Sequence, residues 1–284
     1  MDETFVEQLR DPRLARVAQK IKATLSPGIR FNAVPCAEPE LLPGESRLGG
    51  SPDVPEGFAW PTWRGKPLAF LAQLNLAELR DFFTAAPLPE TGWLLFFYDA
   101  RQTTWGFDPQ DLGSWSVVYV TGTPENLKRI SVPIETFLGG KYASCRIIPY
   151  EALTAPTAES PEIQALDLGP DEFDAYFDIS SPDGSTTGKC HQLLGLAQAI
   201  QGEMRLECQL ASNGVYCGNP AGYNDPRAVE LAKGVDDWML LFQVDTDDKA
   251  RMMWGDVGRL YFWIKRSDLA KREFSKVWMV LQCG

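Results

Sequence analysis

Only one histidine, His191, occurs in this chain of 284 residues, which excludes every site that needs two imidazoles. None of the six cysteines forms a Cys-x-x-Cys pair. There is also no Gly-Lys-Ser or Gly-Lys-Thr after a glycine loop, no Gly-x-Ser-x-Gly elbow and no Gly-x-Gly-x-x-Gly run. These absences leave few familiar catalytic mechanisms open, and we expect no cofactor and no metal. Basic runs are scarce too. The 27 Lys plus Arg face 38 Asp plus Glu for a net charge of -11, and the longest basic cluster is Lys265-Arg266 followed by Lys271-Arg272. Such pairs read as a solvated face, which argues against nucleic acid as a partner. No apolar run approaches the roughly 20 residues of a membrane helix, so no membrane partner is expected. The start, Met-Asp-Glu-Thr-Phe, lacks the apolar stretch of a secretory signal, which points to the cytoplasm and to reduced thiols, most of them small core residues.

What is present is ample for a globular fold. Apolar side chains make up 44% of the chain, and a chain of this length removes about 75% of its unfolded surface from water. Asp11-Pro12 opens an amphipathic helix carried by Leu14, Val17, Ala18, Ile21 and Leu25 and stopped at Pro27-Gly28. From Pro35 to Pro67 prolines and glycines predict an irregular arm pinned by Phe58, Trp60 and Trp63. Strands are predicted over Leu68–Leu74, Trp93–Tyr98, Trp115–Val120, Leu127–Ile134, Cys145–Ile148, Trp238–Val244, Arg259–Ile264 and Val277–Gln282, with glycine turns between them, notably Gly139-Gly140. Asn75 caps a short helix, and further short helices are predicted through Phe173–Phe177, Arg227–Lys233 and Ser267–Phe274. Pro149–Pro170 reads as linker and Ser180–Gly188 as polar loop, while Glu203–Tyr216 fits either a strand with an Asn213-Gly214 turn or a helix capped there. The fold class expected is α+β, mainly antiparallel sheets with short helices. It divides into an N-terminal helix (1–34), a first half (35–180) and a second half (181–284) packed as one unit.

The halves echo each other. Pro67–Asn75 and Gly92–Asp99 parallel Asp237–Asp245 and Gly258–Ile264, each half pairing a strand that ends in Gln-x-Asx with a glycine-led aromatic strand. Arg47-Leu-Gly-Gly-Ser-Pro52 echoes His191-Gln-Leu-Leu-Gly-Leu196. A degenerate duplication would bring equivalent loops together about a pseudo-twofold axis, with a groove between the halves. The runs Ser46–Pro61, Pro67–Leu79, His191-Gln-Leu-Leu-Gly195 with Ile200-Gln201, Glu207-Cys-Gln209 with Ser212-Asn-Gly214, and Trp254–Ile264 resemble the YwqG-like bacterial family of unknown function. The resemblance runs from about Pro35 to the C-terminus. It implies a bacterial cytosolic α+β protein and, by association with toxin loci, an immunity or binding role. Leu196-Ala197 departs from the aromatic or proline expected after the glycine.

For chemistry, His191 reads first as a hydrogen-bonded structural residue, then as a ligand contact, and least as a base for Cys190, Cys208 or Cys217. A zinc site of those cysteines with His191 has unsuitable spacing. Asp245-Thr-Asp-Asp248 reads as a solvated turn rather than a calcium loop, Arg47 as paired to an internal carboxylate, and Trp254–Gly258 as a tight turn with Asp256 bonding amides. If a functional surface exists, its residues are Arg47, Trp60, Gln73, His191, Gln201, Trp254 and Asp256, where the repeat signatures meet. The function expected is a protein- or ligand-binding module with another protein as partner, toxin-neutralising in the immunity reading. The alternative is a hydrolase or transferase using carboxylates in the groove, among them Asp99, Asp245, Asp247, Asp248 and Asp256.

Overall fold

A computed structural model describes residues 4–133, 141–180 and 189–284. The predicted turn at Gly139-Gly140, the end of the strand at Ile134 and the loop 181–188 lie outside the described residues. In chain order the elements are α1 (Thr4–Gln8), α2 (Ala18–Thr24), β1 (Ser26–Pro35), β2 (Arg47–Leu48), β3 (Asp53–Pro55), β4 (Thr62–Trp63), β5 (Lys66–Pro67), β6 (Ala69–Asn75), β7 (Trp93–Tyr98), β8 (Trp115–Val120), β9 (Leu127–Arg129) and β10 (Cys145–Thr154). They continue with α3 (Pro161–Gln164), α4 (Pro170–Ser180), β11 (His191–Leu193), α5 (Arg205–Ala211), α6 (Ala228–Ala232), β12 (Trp238–Asp245), β13 (Arg259–Lys265), α7 (Arg266–Ala270) and β14 (Trp278–Gln282).

Ten strands form one antiparallel sheet in the order β14-β13-β12-β11-β1-β10-β2-β6-β7-β8, curled into a nearly closed barrel. The two edge strands meet through tryptophans rather than a ladder. Trp115 and Trp278 pack edge to face with centroids 4.9 Å apart, and the Trp115 indole donates to the Val277 carbonyl at 2.8 Å. The interior holds one core running through both halves, including Phe31, Phe96, Phe242, Phe262 and Trp254. The mainly antiparallel reading of the chain agrees with this architecture.

Strand β7 shows why its sequence is apolar without a break. Leu94, Phe96 and Tyr98 enter the barrel interior, while Trp93, Leu95 and Phe97 face outward into a second cluster with Val54, Trp63, Leu68 and Phe70. Alternate side chains point to opposite faces, and both faces are covered. The arm supplies that outer cover, with Phe58 stacked on Phe97 and Trp60 packed edge to face against it, so these two residues do pin the arm.

About the central β1–β10 pair, the sheet order reads alike in both directions. Strands β10-β2-β6-β7-β8 run one way and β1-β11-β12-β13-β14 the other. Each Gln-x-Asx strand carries an irregularity just before its glutamine, between Phe70 and Ala72 in β6 and between Leu240 and Phe242 in β12. After β2 the chain turns through Gly49 and Gly50 at positive φ, and after β11 through Leu194 and Gly195. A side chain at Gly49 would meet the Ala143 carbonyl oxygen at 2.2 Å, and one at Gly195 would meet Gly28 at 2.9 Å. Both turns therefore need glycine for close backbone approach as well as for φ.

Several local expectations change. Pro27-Gly28 stands inside the ten-residue strand β1, paired along its length with β10. Gly28 hides it from a propensity reading but lets Thr154 approach, since a Cβ there would lie 2.9 Å from Thr154 Cγ2. Strand β10 runs on to Thr154, so the start of the predicted linker is sheet. Glu203–Tyr216 resolves as the helix α5, closed by Gly214 at φ 82°. The helices α1 to α4 form a separate layer whose core is Leu9, Leu14, Val17, Ile21, Ile163, Ala175 and Tyr176. Arg16 ties that layer together through Glu172 and the Asp167 carbonyl.

Candidate functional site

The seven residues singled out from the sequence fall into internal bonding rather than one cavity. Arg47 is fully buried, paired with Asp53, and bonded to the Glu45 and Ser51 carbonyls. Arg129 holds the other side of Asp53, its Nε 2.8 Å from Oδ1. Burial pushes the Asp53 carboxyl up, but the Arg129 hydrogen bond and the Arg47 charge outweigh it and leave it below the usual range. The expected internal carboxylate partner of Arg47 is therefore Asp53. Gln73 lies beside Arg47, accepting from the Asp53 amide and donating to the Glu45 carbonyl.

His191 is 1% exposed. Its Nδ1 accepts from the Asp245 amide at 3.2 Å, so the ring N–H sits on Nε2 and donates to Asp247, 3.1 Å away. Asp245 and Asp247 are buried, so the predicted turn there is not solvated: Asp245 binds the Cys190 amide and pairs with Arg259, and Asp247 pairs with His191. Trp254 is fully buried against Tyr98 and Tyr142, with centroids 6.2 and 5.5 Å away. The Trp254–Gly258 turn closes through the Gly258 amide on the Trp254 carbonyl. Asp256 is exposed and contributes its backbone carbonyl, to the Gly284 amide, rather than its carboxylate. The Trp60 indole donates to the Leu68 carbonyl, and the Gln201 amide donates to Gln282. Where the halves meet, the β1–β10 ladder fills the seam.

The best-formed cavity lies elsewhere, between the helical layer and the second half of the barrel. It has a volume of about 370 Å³, at the small end of the range for ligand sites. Three distant stretches build it. The end of α2 and start of β1 supply Thr24 and Ser26, the turn before α3 supplies Thr157 and Ser160, and the first turn of α3 supplies Glu162. The second half supplies the Gly195–Ala199 loop, Met204, Arg205, Trp238, Met239, Trp263 and Arg266. None of the seven residues discussed above lines it.

Two polar atoms in this lining are buried without a partner, Ser160 Oγ and Trp263 Nε1, in residues each 5% exposed. Ser160 occupies the N-cap of α3, where a serine hydroxyl ordinarily bonds the helix amides; here it makes no such bond. A buried donor left unmade costs about 1–3 kcal/mol, so two in one lining are unusual. The cavity's charges are mostly committed. Glu203 accepts from the Met204 and Arg205 amides and from the Arg205 guanidinium at 2.8 Å. Burial pushes Glu203 up, yet the Arg205 hydrogen bond and charge bring it below the usual range, so it stays ionised. Arg266 has only a 3.8 Å contact to Met239 Sδ.

A reading by motif does not reach this site, because its residues come from turns and strand ends far apart in sequence and none forms a local pattern. The nine tryptophans give no separate signal, since most of them are buried in the core.

The chain belongs to the family described as a domain of unknown function, DUF1963, which it matches over residues 46–283. No curated protein matches the chain. The match covers the whole second half of the barrel but begins after α2 and β1, so the Thr24 and Ser26 wall of the cavity lies outside the matched stretch. Among the described residues no helix is long and apolar enough to cross a membrane.

Proposed function

We propose that this protein is a binding module for a small molecule, held in the cavity between α2, α3 and the second half of the barrel. The observation that carries this reading is a cavity of about 370 Å³ built by three distant stretches, with Trp238, Trp263, Met204 and Met239 in its lining beside Arg205 and Arg266. An empty void of structural origin is apolar, whereas this lining mixes apolar with polar and charged side chains, as ligand sites do. The carboxylate-enzyme alternative draws less support, because Glu203 already accepts from three N–H donors and Glu162 lies 4.0 Å from the Arg205 guanidinium.

We also infer that the two halves descend from a duplication. The mirrored strand order, the matched irregularities and the paired turns support that reading, and the YwqG-like resemblance is kept with it as a proposal.

The test is a fragment screen on the full chain by thermal shift and tryptophan fluorescence, run in parallel on Ala197→Phe, which fills the cavity from its Leu196-Ala197 wall. Fragments that stabilise the wild type and lose their effect in the variant support the site. A set of hits unchanged by the variant, or no hit at all, overturns it.

A further inference from the structure

The chemistry of the lining narrows what the cavity takes. Its walls include two indoles, Trp238 and Trp263, with Met204, Met239 and Leu240 beside them. Indole faces favour a flat apolar body, and methionines adapt to its outline.

Charge narrows it further. Both carboxylates of the lining pair with Arg205, which offsets their charge. Among the described residues Arg266 has no carboxylate within ion-pair distance, and its neighbour Lys265 places Nζ 5.2 Å above the Trp238 ring. The uncommitted charge at this site is therefore positive, in a protein whose net charge is -11. A guanidinium fork matches a carboxylate in shape as well as in sign.

We propose that the occupant is a small organic carboxylate with a flat, apolar body, the body lying against Trp238 and Trp263 and the carboxylate reaching Arg266. This rests on the binding reading above and specifies its ligand class. At about 370 Å³ the cavity suits a compact metabolite rather than a peptide or a long acyl chain.

The experiment is calorimetric titration of the full chain with three matched probes: 1-naphthoate, its neutral amide and 1-naphthylmethylammonium. The acid should bind at least about tenfold tighter than the amide, and the ammonium weakest. In Arg266→Ala the preference for acid over amide should vanish while amide affinity holds, which separates loss of recognition from loss of fold. Raised salt should weaken the acid and leave the amide unchanged. If the amide or the ammonium binds as tightly as the acid, and Ala197→Phe abolishes that binding, the carboxylate assignment fails and the binding reading stands. If fragments of other shapes bind in the cavity and none of the three probes does, the flat-carboxylate class is likewise overturned. If no probe and no fragment binds, both readings fail together.

Discussion

Gln73 and Gln243 make the same two hydrogen bonds in the two halves of the barrel. Gln73 Oε1 accepts from the Asp53 amide and its Nε2 donates to the Glu45 carbonyl; Gln243 Oε1 accepts from the Gln198 amide and its Nε2 donates to the Cys190 carbonyl. Each side chain staples the turn after a short strand to the long strand beside it. Both are fully buried, so removing the amide strands a backbone donor and a backbone acceptor. Gln73→Leu and Gln243→Leu should each cost about 2–4 kcal/mol in chemical denaturation. A cost at one site and none at the other would contradict the equivalence.

The Arg47–Asp53–Arg129 network makes stability depend on acid. Asp53 titrates below its unfolded value, so its contribution is complete above about pH 4 and is lost as the pH falls through the folded value. Asp53→Asn leaves the buried Arg47 without its counter-charge and should destabilise by about 3–5 kcal/mol at neutral pH. The variant should also lose part of the acid-dependent slope between pH 5 and 2. Denaturation midpoints across that range check both statements, and an unchanged slope would remove Asp53 from the account.

Acid also loosens the helical layer. Glu172 is held down to about 2 by the Arg16 guanidinium and then by the Gly169 amide. Its contribution is present above the usual glutamate range and disappears as the pH falls from about 4.5 towards 2. Hydrogen exchange in α2 and α4 should rise over that window while β12 and β13 stay protected. Glu172→Gln should show the faster exchange already at pH 6. Equal acceleration in the barrel strands would mean that the layer does not open separately.

The limits of legibility follow from where each signal sits. Trp93–Tyr98 could be read in place because an unbroken apolar run bounded by glycine has few other uses, and the Gln-x-Asx echo marked Gln73 and Gln243 before their bonds were visible. Strand β1 escaped because Pro27 and Gly28 carry no strand propensity of their own; pairing with Leu153 and Ala152 of β10 holds them extended. His191 and Trp254 attracted notice as rare, polar or aromatic residues, yet the His191 ring is committed to internal hydrogen bonds and the Trp254 ring is packed fully inside the core. Ser160, Trp263 and Arg266 carried no local signal, since a cavity assembled from three separated stretches exists only after the helical layer has docked.

The indole N–H of Trp263 tests the central claim most directly. Its resonance, assigned by comparison with Trp263→Phe, should lie in the ligand-free protein at the position of an indole without a hydrogen-bond acceptor. It should then shift on titration with 1-naphthoate as the naphthalene ring comes to lie beside Trp263, while the Trp254 resonance stays fixed. A Trp263 resonance that stays fixed while the probe binds, or a bonded position in the ligand-free protein, would contradict the account.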